Sequence, residues 1–111
     1  MISKFPVSYQ EILEQNKLID KFMPTTLYEG TDSYYLTVAK YHSSLDWLMP
    51  AVEYIESMNY SSHIYCIGKT TNTCQFTSGG AEVCTGRGKT KIEAIYNAVV
   101  LFIEYQNKQK P

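Results

Sequence analysis

The sequence predicts a single α+β domain over residues 1–111: a small antiparallel sheet packed against helices, in the order α-β-α-β-β-β-α. Three observations carry this. Apolar residues recur at helical spacing in two segments, Leu48/Val52/Ile55 and Ile95/Val99/Phe102. Between those segments lie three short runs rich in β-branched and aromatic residues, linked by glycine turns. With 111 residues, 44% hydrophobic and 19% charged, the chain can bury a core without disulfides and is too apolar for disorder. Helices flanking consecutive hairpins favour an antiparallel sheet with helices laid on it.

The first helix is expected from about Ser8 to Phe22. Ser8 and Glu11 have the spacing of a capping box, Ile12, Leu13, Ile19 and Phe22 form a stripe, and Pro24 marks the stop. A loop follows over 25–31, with a turn at Glu29-Gly30-Thr31-Asp32. Tyr34 to Tyr41 is rich in strand-forming residues and reads as a strand. These pieces divide the chain into a helix and loop (1–33), a core (34–107) and a polar tail (108–111).

Within the core, Ser43-Ser44-Leu45-Asp46 opens a second helix that runs to about Met58. Pro50 fits it if the regular helix starts near Asp46 or Trp47, and Asn59 is suited to the C-terminal cap. Strands are expected at about Ser62–Ile67, Thr73–Thr77 and Ala81–Thr85, joined by Gly68–Asn72 and Ser78-Gly79-Gly80. Gly86-Arg87-Gly88-Lys89 reads as a basic glycine turn. Thr90 and Glu93 then repeat the capping-box spacing and open a last helix, Lys91 to about Asn107. On this helix Ala94 and Ala98 permit close approach to the sheet, and Asn97 is expected at the rim.

Two blocks carry a resemblance. The first is Tyr41-His42-Ser43-Ser44-Leu45-Asp46-Trp47-Leu48-Met49-Pro50-Ala51-Val52-Glu53-Tyr54-Ile55-Glu56. The second runs from Lys91-Ile92-Glu93-Ala94-Ile95-Tyr96-Asn97-Ala98-Val99-Val100 to Asn107. Together they resemble small proteins of Bacteroides-type genomes and their phages, and more distantly the phage ABA-sandwich domain. That resemblance implies a small sheet enclosed by helices. It brings no activity and no site residue.

Composition limits function. Ten basic and eleven acidic residues leave a net charge of -1, so nothing draws the whole chain to nucleic acid or to an anionic membrane. The longest apolar run, Ala98 to Ile103, is too short to span a bilayer. Three cysteines cannot all pair within the chain. With no apolar leader at the N-terminus, a reducing cytoplasm is expected.

No catalytic constellation is legible. Cys66, Cys74 and Cys84 lack the paired spacing of a structural zinc site, and no motif joins a thiol to His42 or His63. Neither metal, cofactor nor enzymatic activity is therefore expected. Ten tyrosines favour a module that binds another protein or a second copy of itself, since tyrosine joins an apolar body to a polar tip. Tyr54, Tyr60, Tyr96 and Tyr105 lie off the main helical stripes or just past an end, and are the expected exposed anchors. The alternative is nucleic acid. Arg87, Lys89 and Lys91 before Glu93-Ala94 resemble the last turn and helix of a double-stranded-RNA-binding domain, which lies on phosphates. Ile92 and Ile95, however, stand where that family carries further lysines.

Overall fold

The computed structural model describes residues 5–6, 8–24 and 32–109. The turn expected at Glu29–Asp32 falls largely outside them. Within the described residues four helices and three strands follow in the order α-α-α-β-β-β-α: α1 Tyr9–Phe22, α2 Asp32–Thr37, α3 Leu45–Ser57, β1 Ser61–Ile67, β2 Thr71–Ser78, β3 Ala81–Gly88 and α4 Lys91–Gln109. The α+β class is as the patterning requires.

Local chemistry explains most boundaries. The Ser8 hydroxyl accepts from the Glu11 amide at 3.2 Å, and the Thr90 hydroxyl from the Glu93 amide at 3.2 Å. In both boxes the carboxylate turns to the capping hydroxyl, which donates to it. Asn59, just past α3, has φ 71, a left-handed conformation that asparagine tolerates better than most residues and that stops a helix. α3 begins at Leu45, so Pro50 sits more than a turn inside it. The ring faces solvent and forfeits one backbone hydrogen bond. Gly79 and Gly80 both have positive φ, as the tight β2–β3 hairpin requires.

The strand expected over Tyr34–Tyr41 is absent: this segment opens with α2 and continues into a turn. The Val38 and Ala39 amides both donate to the Tyr34 carbonyl, closing the helix on itself. The carbonyls of Tyr35 and Ala39 accept instead from the side chain of Asn16 on α1, each at 3.0 Å. Strand propensity lost to these tertiary partners.

The sheet is a meander, β1-β2-β3, antiparallel throughout. β3 is longer than expected and takes in Gly86, Arg87 and Gly88, so the basic stretch is mostly strand. The turn proper is Lys89-Thr90. Close packing explains the glycines. A Cβ on Gly86 would overlap the amide nitrogen of Ala98 and the carbonyl of Ala94, because α4 presses directly on the strand.

Alternation and register place Ile64, Cys74, Phe76, Cys84 and Gly86 on the face that α4 covers. His63, Tyr65, Gln75, Thr85 and Arg87 lie on the other. α3 joins α4 on the same side, where Ser62 donates to Glu56 at 2.5 Å. On the opposite face Thr73 and Thr77 of β2 are buried, whereas His63 and Tyr65 of β1 are exposed. α1 and α2 form a further layer over α4, which is buried without interruption from Ala94 to Val100.

Candidate functional site

The aromatic residues expected as exposed anchors divide into three groups. Tyr96 is wholly buried, and its hydroxyl donates to Asn16 Oδ1 at 2.9 Å. The expectation of an exposed anchor fails there because α4 is covered by α1 as well as by the sheet. Tyr54 and Tyr60 are half-buried in a cluster around Phe102. Tyr60 stands edge-on to Phe102 at 4.8 Å, and Tyr54 packs on Phe22, which itself meets Phe102 at 6.1 Å. Tyr105 also touches Phe102, at 6.2 Å, but belongs to a concave surface.

That surface is a groove of about 470 Å³ running between β3 and α4. Its apolar lining is Val83, Cys84, Leu101 and Tyr105. Thr85 and four charged residues, Glu82, Arg87, Glu104 and Lys108, complete it, the charges two of each sign. β3 is the outer strand of the sheet, and no described strand pairs with its free side. The helical stripe that forms one wall continues back from Leu101 to Asn97. Asn97 is buried rather than at the rim, because its amide donates to the Arg87 carbonyl at 2.8 Å. Its Oδ1 has no hydrogen-bond partner among the described residues.

The cations of the alternative site lie at one end of the sheet. Arg87, Lys89 and Lys91 are exposed. Asn72 links the two lysines, donating to the Lys89 carbonyl at 3.0 Å and accepting from Lys91 Nζ at 3.5 Å. Lys69, in the β1–β2 turn, belongs to the same end, since Asn72 follows that turn and pairs with Gly88. Sequence spacing could not find it, twenty residues from Lys89; only the strand pairing brings them together.

The thiols are placed for packing. Cys74 is buried and Cys84 partly so. Burial pushes both pKa values up to about 12, so both are protonated at neutral pH and poor nucleophiles or metal ligands. Cys66 is exposed on β1. Among the described residues no three His, Cys, Asp or Glu side chains converge as a metal site would require. His63 meets Thr77 Oγ1 at 3.3 Å, and His42 Nδ1 lies 3.0 Å from the Asn16 amide. Among the described residues no helix is long and apolar enough to cross a membrane. No family model, curated protein or solved structure gives a significant match to this chain.

Proposed function

We propose that this chain is a non-catalytic protein-interaction module, and that the groove between β3 and α4 receives an extended segment of a partner protein as an added strand. The observation that carries the reading is the pairing of an open strand edge with an apolar groove. The edge offers backbone donors and acceptors, which bind any extended peptide. The groove offers Val83, Leu101 and Tyr105 to alternate side chains, which select among peptides. The zwitterionic rim suits a polypeptide of mixed charge better than a phosphate chain. A cytoplasmic, phage- or mobile-element-type setting completes the proposal; it rests on the sequence resemblance and the odd cysteine count.

Peptide selection from a random library, followed by amide-shift mapping of the winning sequences, tests this. Bound peptides should perturb β3 and the 101–108 face of α4, and Leu101→Glu should abolish binding while leaving the melt intact. Affinity should depend weakly on salt. Perturbations confined to other surfaces would refute the groove.

A second reading is favoured by the gathering of Lys69, Arg87, Lys89 and Lys91 beside a helix N-terminus, where backbone amides also attract phosphate. If these cations hold duplex RNA or DNA, three or so phosphate contacts give a log–log salt slope of about -2 to -3. On the first reading, anisotropy titrations should show no binding tighter than about 10 μM at physiological salt. Tighter binding that vanishes in the Arg87/Lys89/Lys91 triple-alanine variant would make the second reading the better one.

A further inference from the structure

The opposite edge of the sheet has a different character. β1, Ser61-Ser62-His63-Ile64-Tyr65-Cys66-Ile67, carries no acid, lysine, arginine, proline or glycine. Natural edge strands avoid unwanted pairing by charge, proline, a bulge or a cover. Among the described residues, β1 has none of these. Its partner β2 is bulged only toward β3, at Phe76/Thr77, and α4 lies over β2 and β3. Ile64, Tyr65 and Ile67 remain 39%, 41% and 52% exposed, although they alternate between the two faces of the strand. Apolar side chains exposed on both faces of an unprotected edge are what a further strand would cover.

We propose that β1 pairs antiparallel with β1 of a second copy about a two-fold axis at Ile64, joining the two sheets into one of six strands. The strand's own order argues for this occupant. Centred on Ile64, the register sets Ile64 against itself on the helix-covered side, with Ser62 opposite Cys66. On the other side His63 lies opposite Tyr65, and Ser61 opposite Ile67. Each apolar residue gains a neighbour, and no like-charged pair of acids, lysines or arginines meets, because the strand carries none of these. A closed two-fold pairing also uses up both β1 edges, so assembly stops at two. The same register brings the Gly68–Thr70 turn of one copy beside the end of α3 in the other. There Lys69 meets Glu56 and the negative end of the helix. The charges are complementary where the strands end. The pairing leaves the β3–α4 groove open, so it does not rest on the groove reading.

A seven-residue strand pairing is small, so a reversible dimer is expected, with a Kd of about 10 μM to 1 mM. Sedimentation velocity of the full chain, reduced, over a concentration series should show a monomer–dimer equilibrium. Ile64→Lys puts two cations on the axis and should weaken dimerisation by about a hundredfold or more with the monomer still folded. In a Cys66→Ser background, Ile64→Cys should oxidise to a covalent dimer, whereas Ser61→Cys, opposite Ile67, should stay largely monomeric. This second pair of variants decides the matter if Ile64→Lys unfolds. A chain monomeric to millimolar concentration would overturn the proposal. So would a dimer unaffected by Ile64→Lys, faster cross-linking at residue 61, or open-ended polymers. Peptide binding retained by a monomeric variant would leave the groove reading standing.

Discussion

The two ends of the chain are held by different forces. In the C-terminal half, α4 sits on β2 and β3 through small residues and aromatic rings. Gly86 meets Ala94 and Ala98, and Phe102 touches Phe22, Tyr60, Phe76 and Tyr105. In the N-terminal half, α1 and α2 are fastened by buried polar groups. Asn16, wholly buried, donates to two backbone carbonyls, lies against His42 and accepts from Tyr96. Asp20 accepts from Tyr41 at 2.8 Å and from Tyr35 at 3.2 Å. Burial, followed by the bond to Asp20, raises the Tyr41 phenol's pKa and keeps it a donor. Close packing tolerates no added volume, whereas a buried polar network tolerates no missing partner.

The sharpest test of the packed half is Gly86→Val. The added atoms would run into helix backbone, which cannot rotate away as a side chain can. The expected loss is several kcal/mol out of a total of about 5–15, enough to unfold much of the population in a urea or thermal melt. A wild-type melt would mean that α4 does not press on β3. Phe102→Ala comes next, at about 3–5 kcal/mol, because it empties the centre of the aromatic cluster.

The polar half should respond to a substitution that barely changes volume. Asn16→Leu leaves the Tyr96 hydroxyl and the carbonyls of Tyr35 and Ala39 without their partner, and should cost about 2–3 kcal/mol by chemical denaturation. Tyr96→Phe should cost about 1–2 kcal/mol, and the double variant less than the sum. Strict additivity would show that the two groups do not act together.

The smallest effect is pH-dependent. Desolvation lowers the His42 pKa below its ordinary 6.5. The unfolded chain therefore binds the proton first. The contribution of neutral His42 is whole above pH 6.5, falls as pH drops through that value, and levels off below the folded pKa. Denaturation midpoints from pH 7.5 to 5 should decline modestly in the wild type and less in His42→Gln. Equal slopes in the two proteins would place His42 in water.

By itself the sequence determined what depends on near neighbours. The helix starts at Ser8 and Thr90, the hairpin at Gly79-Gly80, the left-handed stop at Asn59 and the stripe Leu48/Val52/Ile55 each need only a few consecutive residues, so each was legible. The α+β class follows from their order. Tertiary structure alone decided the helical state of Asp32–Thr37, whose carbonyl partner on Asn16 lies 19 residues away. It also decided the burial of Tyr96, whose partner lies 80 residues away. Arg87 entered a strand, and Lys69 joined the basic end, only through pairing with β2. The candidate groove was legible as two isolated residues, Arg87 and Tyr105, in two separate hypotheses. Their meeting depends on how closely a helix can approach a strand, and that distance is set where Gly86 lies under Ala94 and Ala98. Periodicity and capping are properties of a chain segment, whereas hydrogen bonds between distant groups and the depth of a groove are properties of the packed whole.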